Sequence, residues 1–289
     1  MNHKEQAVRG QRRMPHKQKT AFTTIITIFF VALLCTAVII GALFVSGIRL
    51  IREETSGGDI VKFFGKTEGG KPYSGKVYYP SGLTAKLDRE KNTLTYSDGS
   101  VYTGELKNLL RDGIGEMKYS NGDVYSGSFD GDVISGSGKF EFSNGDSYEG
   151  ELIDGLKNGY GTYTWADGSY YTGLFKDDQR NGAGFSHWAD GSSYDGTYVN
   201  GVKDGHGTFT FANGDIYTGE YSEDKRSGFG TYSFANGESY TGHFKDNTLN
   251  GEGTYTWASG RTYTGLFENG KMVAAENGEE TGEVATPEQ

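Results

Sequence analysis

The chain has 289 residues and carries 46 Gly against only 4 Pro, beside 20 Tyr, 17 Phe and 3 Trp. That much aromatic surface excludes a disordered Gly-rich polymer, and a single cysteine, Cys35, excludes an intrachain disulfide framework. The net charge of −10 is uneven: residues 1–21 hold six bases against Glu5, so the remainder sums to −15. An acidic body of this kind excludes electrostatic binding to nucleic-acid phosphate.

In chain order, residues 1–21 read as a basic cytoplasmic tail (Lys4, Arg9, Arg12, Arg13, Lys17, Lys19). Residues 22–48, "FTTIITIFFVALLCTAVIIGALFVSGI", contain no charge and as a helix span about 40 Å, enough to cross a bilayer with tilt. A cleaved signal peptide is the competing reading, but its apolar region is normally about 7–15 residues and ends in a small-x-small site. "VSG" at 45–47 matches such a site poorly. Cys35 lies inside the segment and reads as a small apolar filler, with acylation as the rival role. Bases stay preferentially in the cytoplasm. The expected topology is therefore a single-pass protein of the cell membrane, N-terminus inside and repeats outside. None of the 13 Asn after residue 48 starts an N-x-Ser/Thr sequon, as suits a bacterial surface protein.

Residues 49–72, of mixed charge, read as a stalk. A degenerate capping repeat is expected at 73–98, which keeps Tyr73, Gly75 and Gly82 without a second glycine pair. The repeat array proper occupies 99–270. Residues 271–289 are acidic, lack aromatics and read as a disordered tail.

Within the array Gly99, Gly122, Gly145, Gly168, Gly191, Gly214, Gly237 and Gly260 recur every 23 residues. Each is followed by a Tyr-x-Gly: Tyr102/Gly104, Tyr125/Gly127, Tyr148/Gly150, Tyr171/Gly173, Tyr194/Gly196, Tyr217/Gly219, Tyr240/Gly242 and Tyr263/Gly265. A G-x-G pair keeps the same step, from Gly113/Gly115 to Gly251/Gly253. Such a period is the signature of a repeat array. In "DIYTGEY", Tyr217, Gly219 and Tyr221 share one face and Thr218 and Glu220 the other, the alternation of a strand. Asn-Gly or Asp-Gly ("ANGD", "ADGS") predicts the tight hairpin turn, and segments such as "KDDQRN" predict a longer loop. Glycine beside tyrosine lets a ring lie flat on bare backbone. The predicted fold is all-β: an elongated antiparallel ribbon of about eight 23-residue hairpins after one transmembrane helix, of order 75 Å long.

These motifs, "YxGxF" with "GxGxYxW" and "DGSxYxG" at a 23-residue step, resemble the MORN repeat family. The resemblance implies roles in protein assembly and membrane-associated organisation, with lipid binding proposed for the family. The family's strand-one aromatic, often Trp, is here Leu106, Phe129, Leu152, Phe175, Tyr198, Tyr221, Phe244 and Phe267, and Ser186 replaces another expected aromatic.

Little else suggests chemistry. His187, His206 and His243 lack metal-ligand spacing. Asp98, Asp123, Asp146, Asp167, Asp190 and Asp215 lie near turns, where turn chemistry accounts for them better than a calcium ribbon. The G-x-G pairs lack the companions of a nucleotide loop. No catalytic residue, cofactor or metal is expected. The leading expectation is a non-catalytic extracytoplasmic scaffold for an unidentified protein partner, with lipid contact ranked lower because the body is acidic. The alternative is a cell-wall glycan module stacking sugars on Trp165, Trp188 and Trp257; an enzyme-activating subunit is a weaker third. The last strand, 261–267, is expected to offer an open edge for a homodimer.

Overall fold

The apolar run folds as one helix, α1 (His16–Val45). The computed structural model describes residues 16–55, 58–273 and 287, with side chains from residue 27 onward. Within α1, Thr27–Val45 is long and apolar enough to cross a membrane, and none of its apolar window is buried among the described residues. The helix ends before the expected residue 48. Gly47 takes φ +77, and its carbonyl accepts the backbone N–H and Oγ1 of Thr67, both at 2.9 Å. Ile48 already opens the first strand.

The expected stalk at 49–72 is corrected by that strand and its successors: β1 (Ile48–Glu54), β2 (Ile60–Glu68) and β3 (Lys71–Tyr78). Val61, Phe63 and Val77 are buried while Lys62, Phe64 and Lys76 face out. This is a period-2 strand pattern whose exposed half carries the charges. The expected cap at 73–98 is likewise corrected to interior sheet: β3 continues into β4 (Thr84–Asp88) and β5 (Thr93–Tyr96), and β1 is the edge. Ala85, Leu87 and Leu94 fill this region with aliphatic side chains where the array uses rings.

Fifteen strands follow, alternating 7 and 9 residues. They are β6 (Val101–Lys107), β7 (Leu110–Lys118), β8 (Val124–Asp130), β9 (Val133–Glu141), β10 (Ser147–Ile153), β11 (Leu156–Thr164), β12 (Tyr170–Lys176) and β13 (Gln179–His187), then β14 (Ser193–Val199), β15 (Val202–Thr210), β16 (Ile216–Ser222), β17 (Lys225–Ser233), β18 (Ser239–Lys245), β19 (Thr248–Thr256) and β20 (Thr262–Glu268). A short β21 (Lys271–Met272) pairs with Phe267 and Glu268. It corrects two expectations: the final edge is partly covered, and the tail is ordered through Val273, whose N–H reaches Leu266 O at 2.9 Å. Apart from 271–273 and Pro287, the tail lies outside the described residues. Each strand pairs antiparallel with the next in sequence, in one sheet of 21 strands among the described residues.

The two turn types exchange their expected places. The tight turn is the one following "YTGLFK": Asp177 and Asp178 are the only residues between β12 and β13, and both have positive φ (48° and 69°), as a type I′ hairpin requires. The "ADGS" stretch is the longer one, in which Gly191 N–H bonds Trp188 O at 2.9 Å with Gly191 at φ +91. That arrangement is a type I turn closed by a glycine bulge.

The core lies on one side of the sheet. This inner face carries Tyr102, Tyr125, Tyr148 and their successors, fully buried through Tyr240. The outer face carries hydroxyls such as the facing pairs Thr208–Thr218 and Thr231–Thr241.

Candidate functional site

Glycine builds the inner face. Gly104 pairs with Gly115, Gly115 with Gly127, and the row runs through Gly138, Gly150, Gly161, Gly173, Gly184, Gly196, Gly207, Gly219, Gly230, Gly242 and Gly253 to Gly265. A tyrosine ring lies on every second pair, that within its own hairpin, as Tyr171 does on Gly173 and Gly184: a Cβ at Gly184 would overlap the Tyr171 ring. The phenols then reach backbone carbonyls three residues on, Tyr102 to Glu105 at 2.6 Å, Tyr148 to Glu151 at 2.7 Å, Tyr217 to Glu220 at 2.9 Å. Tyr263, half-buried at the end, donates to Val273 O at 2.8 Å. Burial pushes the phenols of Tyr102, Tyr125, Tyr148, Tyr171 and Tyr240 up to about 12, so they remain donors at neutral pH. These repeat-defining residues are the architecture of the face rather than its contact groups.

A second row of rings lies beside the first. It runs Phe140–Phe142–Tyr163–Trp165, with successive centroids 5.5, 6.1 and 4.9 Å apart. It resumes as Trp188–Phe209–Phe211–Tyr232–Phe234–Tyr255–Trp257. The interruption is Ser186, whose hydroxyl meets Tyr198 Oη at 2.7 Å where neighbouring repeats place a ring. On the Trp165 side of this break an open cavity of about 380 Å³ is lined by Lys157, Tyr163, Trp165, Tyr171, Phe175, Asp178, Gln179, Arg180 and Gly201. Trp165 and Trp188 thus flank one feature. Trp257 lies three repeats away with Arg261 over its ring at 3.9 Å, so the three indoles do not form one site.

Cations line the same face at positions of the 23-residue series: Arg111, then, past Ile134, Lys157, Arg180, Lys203 and Arg226. The sequence shows this row plainly, but the eye follows Gly and Tyr. Each cation stands near rings, Arg180 4.6 Å from the Tyr198 centroid and Lys203 4.9 Å from Phe209. Asp132 pairs with Arg111 at 3.0 Å and Asp178 with Lys157 at 2.9 Å. The position 21 residues after Arg180 is Gly201, whose carbonyl accepts from Arg180 Nη2 at 2.6 Å. Lys203 is pushed down first by burial, against the pull of Asp224 and with help from Arg180 and Arg226. The cavity therefore joins a broad indole to a guanidinium that, among the described residues, has no carboxylate within ion-pair distance, while the Asp178 carboxylate on the same wall is paired with Lys157. The Arg180 side suits an apolar group carrying an acceptor.

The turn carboxylates have two structural tasks. Asp98, Asp167 and Asp190 accept from the serine N–H two residues on, at 2.8–2.9 Å. Asp123, Asp146 and Asp215 accept from the next repeat, from the N–H groups of Ser143, Ala166 and Ala235 at 2.8–2.9 Å. His187 packs on Tyr170 and His243 on Phe229; His206 pairs across strands with Glu220. The three histidines do not converge.

The MORN repeat model matches seven consecutive units, residues 102–124, 125–147, 148–170, 171–193, 194–216, 217–239 and 240–260, more than half of the chain. The chain belongs to the MORN repeat family. The unit around Tyr263 falls beyond those seven matches, though β20 continues the sheet. No curated protein matches this MORN protein in sequence. Among solved structures it is similar to the TCP domain of Drosophila melanogaster SAS-4 (dCPAP) in complex with a proline-rich motif of Ana2 (dSTIL). That pair is 18% identical with a TM-score of 0.36, covering 62% of this chain and 90% of the other. It is also similar to the TCP10 domain of Danio rerio CPAP in complex with a peptide of STIL, 14% identical with a TM-score of 0.38, covering 76% and 100%.

Proposed function

We propose that this MORN repeat protein is held in the cell membrane by α1, with its sheet outside the cytoplasm, and that its inner face captures a segment of a partner protein without catalysing a reaction. The observation that carries this reading is the break at Ser186. Ser186 stands opposite Tyr171 where the row of rings is interrupted, and Tyr171 borders a cavity with Trp165 on its wall and Arg180 at its side. Trp and Arg are the residue types enriched in protein-binding hot spots, and about 380 Å³ accommodates a few side chains of an extended peptide.

The test is a photocrosslinking residue at Gln179, an exposed position on the cavity rim, in the full chain in native membranes. The expected result is a discrete protein adduct that disappears when Ser186→Phe fills the row. An adduct unchanged by Ser186→Phe, or none, overturns the reading. Protease added to intact cells should remove the sheet; protection of the sheet reverses the topology.

A glycan-binding role draws on the same Trp165 indole, since it borders open space. Retention of the full chain on purified peptidoglycan, lost in Trp165→Ala, would favour it over a protein partner.

A further inference from the structure

The acidic character of the chain does not extend to the strands next to the helix. Residues 49–92 hold nine bases against six acids, +3, whereas 93–289 sum to −18. Strand alternation sends most of those bases to the outer face: Arg52, Lys62, Lys66, Lys76 and Lys86 are all exposed. Among the described residues none of these five lies within ion-pair distance of a carboxylate. The acids on the same face stand at its margins. Glu54 faces Ile60, Glu68 faces Lys71, and Asp88 faces Ser74 while pairing with Lys91.

Two cross-strand pairs are of like charge. Arg52 stands directly opposite Lys62, and Lys76 directly opposite Lys86. Like charges in register destabilise a sheet, so an external anion would relieve what the fold leaves uncompensated. An open depression of about 430 Å³ lies at the second pair, edged by Lys76, Lys86, Thr84, Thr95 and Ser97, which adds hydroxyl donors to the ammonium groups.

The same face is apolar between its charges. Leu50 is 63% exposed, Ile60 48%, Phe64 45% and Tyr78 39%, and Leu50 faces Phe64 across the β1–β2 pair. Large apolar side chains alternating with Lys and Arg, on the strands that continue from a membrane-length helix, match the chemistry of a bilayer interface. The outer face of the array also exposes apolar side chains such as Ile114, Tyr160 and Phe229, but sets them beside hydroxyl pairs, Thr231–Thr241 and Thr254–Thr264, rather than beside facing cations.

We infer that the outer face of β1–β4 is a membrane-contact surface that rests on the phosphate headgroups of anionic lipids in the leaflet from which α1 emerges, with Leu50, Ile60 and Phe64 entering the interface. The inference rests on α1 being a membrane span and is independent of the inner-face cavity.

The test uses the full chain in nanodiscs of phosphatidylcholine alone or with phosphatidylglycerol, and reads lysine acylation by mass spectrometry. Lys62, Lys66, Lys76 and Lys86 should be labelled several-fold more slowly in the anionic discs, Lys176 and Lys245 equally in both, and high salt should erase the difference. Lys76→Glu with Lys86→Glu should abolish the protection at Lys62 and Lys66. Inorganic phosphate added to the neutral discs should not reproduce it; if it does, the site takes free phosphate rather than lipid. Equal labelling in both discs overturns the inference, and protection that grows with protein copies per disc assigns the face to a second chain. Failure of the chain to enter discs at all overturns the anchor together with the patch.

Discussion

The phenol of Tyr171 donates to the carbonyl of Leu174 at 2.9 Å, three residues along the same strand. The bulge between Gly173 and Phe175 makes this reach possible, because pairing with β13 skips Leu174. Ring, bare glycine and displaced carbonyl form one unit, and it recurs from Tyr102 to Tyr240.

Tyr171→Phe keeps the ring and removes the donor. The expected loss is about 0.5–1.5 kcal/mol, read as a lower denaturant midpoint. Tyr263→Phe, at the half-buried end of the row, should lose less. Equal midpoints for Tyr171→Phe and the parent chain would show that the ring alone carries the unit.

Gly207→Ala should destabilise by about 1–3 kcal/mol through overpacking, because the new methyl would meet the Tyr194 ring. The effect should be coupled to that ring. In a Tyr194→Leu background the same glycine change should be milder, a non-additivity measurable in a double-mutant cycle.

Ser186→Phe should raise the thermal midpoint. The following repeat shows that the ring fits, since Phe209 and Tyr221 occupy the places of Ser186 and Tyr198. Each restored aromatic contact contributes about 0.5–1.5 kcal/mol, against the loss of the Ser186–Tyr198 hydrogen bond. A variant more stable than the natural chain yet unable to capture the partner would show that the gap serves binding.

Acid should loosen the array. The Ser143 N–H holds Asp123 below the ordinary carboxyl value of 3.8, and the Tyr163 phenol does the same for Asp146. For Asp215 burial opposes ionisation, but hydrogen bonds led by the Ala235 N–H overcome it. A folded-state value below the unfolded one stabilises at neutral pH, and that stabilisation is lost as pH falls through the depressed value. The thermal midpoint should therefore drop between about pH 5 and pH 2, and less steeply in Asp146→Asn. A flat profile for the natural chain would remove these carboxylates from the account.

The array was legible because each 23-residue unit repeats Gly and Tyr at positions where only bare backbone and a flat ring fit together. The first strands were hidden for a physical reason. In β2 the buried side chains are only Val61 and Phe63, and the charges between them look like a linker when read without the alternation. The turns were misassigned because Asn-Gly suits both an I′ hairpin and a type I turn with a glycine bulge. Strand pairing, not the dipeptide, separates them. The cation row at Arg111, Lys157, Arg180, Lys203 and Arg226 was present in the sequence, but its meaning depends on which face each residue takes. The cavity at Ser186 could be found only as a missing ring between Trp165 and Trp188, and a single serine in a strand carries no such signal alone.

Gly47 splices helix to sheet with no slack. Its carbonyl is held twice by Thr67, and Arg49 returns to the Phe44 carbonyl at 2.8 Å while covering the Phe44 ring. A chain joined in this way works as a ruler rather than a tether. With strands about 4.8 Å apart, β12 lies about 50 Å along the sheet from β1, so Trp165 stands at a set distance along the sheet from the end of α1. One 23-residue repeat added before Tyr148 would move Trp165 about 10 Å further along the sheet from α1, and deleting one would bring it back by as much.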